Sequence, residues 1–299
     1  MATTFTNLTR AQKEDMVVEA ARSILPLFNL FSISLDKGSL IKNNVYKVQL
    51  STDPTIGNKT LGSTSTSTGA LTGVDVTADT VKEGTWRAVE GEIDGPSFPS
   101  FWKAQMSGAV YGCAKAVIDA ALNLVTASNY GNTSADKLVV APADFGWSDF
   151  AELETLADIK IKRPIGMLLN AYYAGAIRAE ATIMQYAATL GQGLLASGAV
   201  PTINGITPVK YTGLPTNSEN LGGLVFGRGA IAGVVGAYDP INQAGDGDIV
   251  DRFPVVEPNS GLTMLYTETA SGGGTRTGEV AVMFGVAKGN TDIVRLLSA

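Results

Sequence analysis

The residues of this chain that come nearest to a cofactor motif are Gly227-Arg228-Gly229-Ala230-Ile231-Ala232-Gly233. The pattern is G-x-G-x-x-x-G. The sequence around it predicts a strand at Leu224-Val225-Phe226 and a short helix over Ala230 to Val235. Glycines between a strand and a helix would let a pyrophosphate approach the helix N-terminus, where unpaired N–H groups and the helix dipole favour an anion. A dinucleotide-binding enzyme is therefore one function to weigh. Three features count against it. The motif stands late, with too little chain after it for the usual βαβ units. A loop and antiparallel strands are expected to follow. With 34 glycines in the chain, chance matches are to be expected.

Other chemistry-bearing groups have plainer readings. Asp246, Asp248 and Asp251 are spaced like calcium ligands, but the bidentate Glu of an EF-hand loop is missing, so a solvated acidic loop is the simpler reading. Glu152, Glu154 and Asp158 could pair for acid–base work, yet they fit the first turn and exposed side of a helix. Cys113 is the single cysteine and there is no histidine. An intrachain disulfide is thereby excluded, as are Ser-His-Asp and Cys-His catalysis and every His-based metal site. Cys113 lies on an apolar helix face with no basic neighbour in sequence, which predicts a buried, inert thiol. Trp86, Trp102 and Trp147 read as core or interface anchors. The sequence thus offers no catalytic residue, no cofactor-binding residue, no metal ligand and no cofactor.

Composition narrows the class. Of 299 residues, 45% are hydrophobic, enough for a sizeable core, and 17% are charged, below the usual ~25%. Such a chain folds and is rich in turns. Lys and Arg number 22 against 28 Asp and Glu, for a net charge of −6, and no Lys/Arg cluster stands out. Specific duplex binding is not expected of it, because there is little cationic surface to neutralise phosphates. No basic stretch precedes an apolar run at the N-terminus, so no secretory signal is read there. The most membrane-like stretch, Leu221 to Tyr238, contains Arg228 and six glycines. A central Arg costs ~2.5–3.5 kcal/mol on the insertion scale, so this stretch is read as soluble core.

The elements that would hold these residues follow from periodicity. Residues 1–35 read as an arm. Thr9 and Gln12 form a T-x-x-Q capping box, Met16, Val17, Ala20, Ala21, Ile24 and Leu25 follow at helical spacing, and Pro26 stops the helix. Residues 36–97 read as a long, largely self-paired β excursion. Tyr46, Val48 and Leu50 alternate with Lys47 and Gln49, and Val74, Val76 and Ala78 with Asp75, Thr77 and Asp79. Between them, Gly62 to Gly69 has no large apolar group and fits a loop tip. A two-stranded ribbon is barely stable alone, so a partner subunit beneath it is one expectation and its own domain the other.

The clearest element spans residues 98–127. Phe98, Trp102, Met106, Val110, Cys113, Val117, Ala121 and Leu124 share one helical face, and Lys115, Asp119 and Asn123 step along the opposite side. Such a helix would run ~45 Å, as a strut. A second helix is expected from Ser148, with Asp149 and Glu152 at its N-terminus and Phe150, Leu153, Leu156 and Ala157 facing inward. A buried strand, Ile165 to Leu169, leads to Asn170, which can cap a helix carrying Tyr172, Tyr173 and Ile177 and continuing past Ala181. From Pro201 the texture changes to short strands and turns. Asp239 to Asp248 reads as a loop. Leu262 to Thr267 and Glu279 to Lys288 read as strands joined by Ser271 to Gly274. The class is α+β, with helices and antiparallel strands segregated and no β-α-β alternation.

This order resembles the major capsid proteins of tailed bacteriophages, a fold shared with encapsulins: N-terminal arm, extended β loop, long spine helix, then peripheral and axial domains. Ile165 to Tyr173 resembles the family's short strand, Asn cap and aromatic-led helix. Leu214-Pro215 with Asn220 to Ile231 resembles its axial strand and helix, and Gly261 to Met264, Tyr266 and Gly285-Val286-Ala287 its closing hairpin. The resemblance implies an arm (1–35), a β loop (36–97), a peripheral domain with the spine helix (98–160), an axial domain (161–248) and a hairpin returning to the peripheral domain (249–299). It also implies a structural protein, not an enzyme. Copies would form pentamers and hexamers in an icosahedral virion shell around double-stranded DNA, assembled in the host cytoplasm. Scaffolding, portal and decoration proteins would be its partners, and no membrane would be involved. An encapsulin-like nanocompartment shell is the alternative on the same fold; a tail or decoration protein is argued against by the long helix. In some members a Lys on the β loop joins an Asn of a neighbouring subunit, helped by a Glu. Lys59 stands near the loop tip, but a solvated lysine is the plainer reading, and no Asn or Glu is assigned.

Overall fold

The computed structural model describes residues 8–22, 31–51, 71–89, 97–161, 164–180, 206, 208–238, 248–258, 261–271 and 274–299. Helix α1 (Arg10–Arg22) starts at the expected box: Gln12 N–H donates to Thr9 Oγ1 at 3.3 Å and Thr9 N–H to Gln12 Oε1 at 2.8 Å. Strands β1 (Ser32–Leu40), β2 (Asn44–Ser51), β3 (Leu71–Ala78) and β4 (Thr80–Ala88) precede the long helix α2 (Phe98–Asn123). Pro99 opens α2, where a missing N–H does no harm. Then come α3 (Ala127–Tyr130), β5 (Lys137–Val139), α4 (Trp147–Lys160), β6 (Pro164–Leu169), α5 (Ala171–Ala179) and β7 (Pro208–Lys210). The remaining elements among the described residues are strands: β8 (Leu221–Gly227), β9 (Ile231–Tyr238), β10 (Asp248–Val256), β11 (Thr263–Ser271), β12 (Thr275–Lys288) and β13 (Ile293–Leu297).

Local signals explain several boundaries. Gly146 N–H donates to Asp149 Oδ2 at 2.9 Å at the start of α4. Asn170 caps α5, its Oδ1 accepting from the N–H groups of Tyr172 and Tyr173 at 3.0 and 3.1 Å. Helix α2 ends at Asn123, four residues before the expected limit, giving a strut of about 39 Å. Its end is held from outside, because Asn217 Nδ2 donates to the carbonyls of Leu122 and Val125 at 3.0 and 2.6 Å.

The main sheet runs β1-β9-β12-β11-β10, with β4 also paired to β12. Strand β12 is long enough to serve β11 along Thr275–Ala281, β9 along Met283–Lys288 and β4 along Arg276–Phe284. Helix α2 packs on this sheet, and Trp102, Met106, Val110 and Val117 share one core with Trp86, Val280, Val282 and Phe284. The second sheet runs β5-β13-β8-β6-β7. Leu224, Phe226 and Ile293 face the first core, while Val225, Val294 and Leu296 face a second core with Phe150, Leu153 and Tyr173. Both faces are covered, so these strands are near-continuous apolar runs.

The β ribbon is narrower than expected. Among the described residues only β2 and β3 pair with each other; β1 lies parallel to β9, and β4 is antiparallel to β12. The described part of the ribbon rests on its own sheet, with Val48, Leu50, Val76 and Ala78 buried against Ala232, Val234 and Met283. No second subunit is needed beneath it there.

Three further expectations are corrected. Ala230 to Val235 is not a helix: Ile231–Tyr238 is a strand, held between β1 and β12. A short apolar run buried on both faces has no period that separates strand from helix, and tertiary pairing decides. The helix carrying Tyr172 ends at Ala179, with Glu180 already extended, and Ala181 is outside the described residues. Among the described residues, β6 and β7 flank α5 in sequence and pair in parallel, an order of β-α-β that was not expected. The class remains α+β with mainly antiparallel pairing. Ile24, Leu25, Pro26, Lys59, Gly62 to Gly69 and residues 239–247 lie outside the described residues.

Candidate functional site

The glycine motif is a strand–turn–strand, and the amides of Gly227 and Ala230 are spent on protein carbonyls. Gly227 N–H donates to Asp292 O at 2.9 Å and Ala230 N–H to Gly227 O at 3.1 Å. The turn is clasped by the one after β12: Gly289 N–H donates to Ala230 O and Asn290 N–H to Gly229 O, each at 2.9 Å. A Cβ on Gly289 would lie 2.0 Å from Gly229 O, so glycine serves backbone packing at this clasp. The helix N-terminus that would hold a pyrophosphate is replaced by the start of β9, which overturns the structural basis of the dinucleotide reading.

The other chemistry-bearing residues are dispersed. Asp248 and Asp251 belong to β10, Asp251 is engaged by Lys13, and Asp246 is outside the described residues. Glu152 and Asp158 are exposed on α4 and Asp149 is spent as its cap. Cys113 is buried with Sγ donating to Val280 O at 3.4 Å. Burial pushes its pKa up to about 11, and the charges of Glu83 and Glu279 add to the rise against an opposing hydrogen bond at Gly84. Such a thiol is inert at neutral pH. Trp86 and Trp102 meet edge to face at 5.3 Å in the core, whereas Trp147 stays partly exposed and stacks on Phe150. Among the described residues, no group of three His, Cys, Asp or Glu could hold a metal ion. Nor is any described helix long and apolar enough to cross a membrane.

A groove of about 540 Å³ opens between β3, α2 and β12, floored by Phe284 and Val286. Asp75, Asp79 and Asp119 stand on its walls with Lys82. Asp119 holds Lys115 and accepts from Tyr211 O–H at 2.6 Å, and Asp75 has Lys47 at 3.9 Å.

Two buried ionic networks escaped the sequence reading. In the first, Lys13 of α1 is inserted between Asp251 of β10 and Glu268 of β11. In the second, Arg295 of β13, fully buried, pairs with Glu219 and donates to Gly131 O. Close by, Asp136 takes Lys160 Nζ at 2.6 Å and the Thr133 N–H and O–H at 2.9 and 2.7 Å. Burial alone would raise the Asp136 pKa, but these hydrogen bonds and the Lys160 charge outweigh it and pull it down to about 2. Each network had a signal: Lys13 is in helical register with Val17 and Ala21, and Arg295 interrupts an apolar strand.

The arrangement leaves large apolar side chains on the surface. Tyr172 and Ile159 are each 76% exposed, Ile41 61% and Val45 55%. Helix α2 also presents Gly108 and Gly112 on an open side, where a Cβ would meet nothing within 4 Å.

No family model and no curated protein matches the sequence. Solved structures do match. The capsid structure of the cyanophage P-SCSP1u aligns over 91% of this chain and 87% of its own, with a TM-score of 0.56 at 15% identity. The mature capsid of bacteriophage PhiM1 covers 91% of this chain and 86% of its own, with a TM-score of 0.53 at 14% identity. The head structure of Helicobacter pylori bacteriophage KHP40 covers 91% and 90%, with a TM-score of 0.52 at 12% identity. The chain has the fold of phage major capsid proteins.

Proposed function

We propose that this chain is the structural subunit of a phage head, self-assembling through pentamers and hexamers into an icosahedral shell around double-stranded DNA. One observation carries the reading: the fold of chains from phage heads is matched along 91% of this chain by three structures. On this reading it is not an enzyme and needs no cofactor. It acts in the virion, after assembly in the host cytoplasm, with scaffolding, portal and decoration proteins as further partners. Within the boundaries read from the sequence, residues 1–35 serve as arm, the β2–β3 ribbon within 36–97 as β loop, 98–160 as peripheral domain, 161–248 as axial domain and 249–299 as return hairpin. The net charge of −6 suits a wall that encloses DNA without gripping its sequence. Many modest contacts per subunit would sum to a stable lattice. Negative-stain microscopy of the purified chain tests this. Hollow polyhedra of uniform size are expected, and a compact monomer at high concentration would overturn the proposal.

A further inference from the structure

Lys13 is carried into the body by α1, on the same helical face as Val17 and Ala21, and only 4% of it remains exposed. Its Nζ touches the Asp251 carboxylate, lies 2.6 Å from Glu268 Oε2, and stands 5.6 Å from the centre of the Tyr266 ring. Glu268 is held on every side. Its Oε2 accepts from Tyr266 O–H at 3.0 Å and its Oε1 from Arg276 at 2.8 Å, while Trp102 Nε1–H donates to Tyr266 Oη at 3.2 Å. The Asp251 side chain is 34% exposed, which leaves a path to solvent.

We propose that this cluster is a site of covalent self-modification, where Lys13 and Asp251 condense to an intrachain isopeptide bond with Glu268 as the acid–base group. Lys13 passes a proton to Glu268, and the neutral amine attacks Asp251 Cγ. One Asp251 oxygen leaves as water, taking one proton back from Glu268 and a second from the nitrogen. An ammonium and a carboxylate become a neutral amide plus one water, Glu268 is regenerated, and no other reactant is needed. Three physical effects favour the step. The Lys13 ammonium is buried in this part-exposed ion pair and carries a desolvation cost that a neutral amide escapes. The amine and carboxyl are already in contact, which raises their effective concentration enormously over free groups. A fixed second carboxylate can shuttle the proton that both halves of the reaction require. The bond would staple α1 to the sheet within one chain, so it does not rest on the shell reading.

Intact mass and peptide mapping of the purified full-length chain test it. The wild-type chain should be lighter than its sequence by one water, and digestion should yield a branched peptide joining Lys13 to Asp251. Lys13→Arg and Asp251→Ala should each restore the full mass. Glu268→Gln should leave both partners present but unjoined. A wild-type chain of full sequence mass, with Lys13 and Asp251 in separate peptides after complete digestion, would mean an ion pair only and overturn the proposal. A bond that still forms in Glu268→Gln would overturn the role given to Glu268.

Discussion

Gly285 of β12 lies directly beneath the carbonyl of Thr77 in the ribbon, so closely that a Cβ on it would stand 2.0 Å from that oxygen. The atom in the way is backbone and cannot rotate aside. Gly285→Ala should therefore lift β3 off the sheet and destabilise the subunit by about 1–3 kcal/mol. Denaturant unfolding would measure the loss, and amide exchange should locate it in β2 and β3. An unchanged midpoint would mean the ribbon is not seated there.

The end of α2 depends on one side chain from a distant loop. Asn217→Ala removes both hydrogen bonds to the carbonyls of Leu122 and Val125, at a cost of about 1–3 kcal/mol. Faster amide exchange should be confined to the last turn of α2 and to α3. The neighbouring Ser218 adopts φ +58°, a left-handed conformation costly for a side chain without glycine's freedom. Ser218→Gly should relieve about 1–2 kcal/mol of backbone strain against about 0.4–1 kcal/mol of added unfolded-state entropy, for a small net rise in melting temperature.

Asp136 links stability to acid. Its folded pKa of about 2 lies below the ordinary 3.8, because the Lys160 and Thr133 interactions overcome the opposing effect of burial. The contribution is present above about pH 4 and is lost as the pH falls through 3.8 toward 2. Asp136→Asn should cost about 1–2 kcal/mol at neutral pH, with the difference from wild type vanishing near pH 2. A difference that persists undiminished at pH 2 would show that charge is not its source.

Shortening the ribbon separates folding from assembly. Deleting Thr55 to Gly73 leaves β1, β4 and α2 with their partners in the main sheet and core. The chain should fold and fail to form closed shells, by electron microscopy. Normal shells from this variant would remove the ribbon from the assembly role.

The glycine turn makes a negative prediction. Titration with NAD(P) should leave the melting temperature unchanged, since the amides of Gly227, Gly289 and Asn290 already have carbonyl partners. A clear stabilisation would restore the enzyme reading.

The sequence by itself determined the elements whose order and period are local. The face from Phe98 to Ala121 repeats with the helical period, and that repeat is what the sheet buries. The Thr9–Gln12 box, the Asn170 cap and the alternation of Val48 and Leu50 with Lys47 and Gln49 are likewise readable within a few residues. Only the tertiary structure decided that Ile231–Tyr238 is a strand, because an apolar run covered on both faces takes its form from its neighbours β1 and β12. It alone moved β1 and β4 out of the ribbon into the main sheet, since strand pairing is non-local. Lys13 meets Asp251 and Glu268 across 238 and 255 residues of chain, and no spacing rule reaches that far.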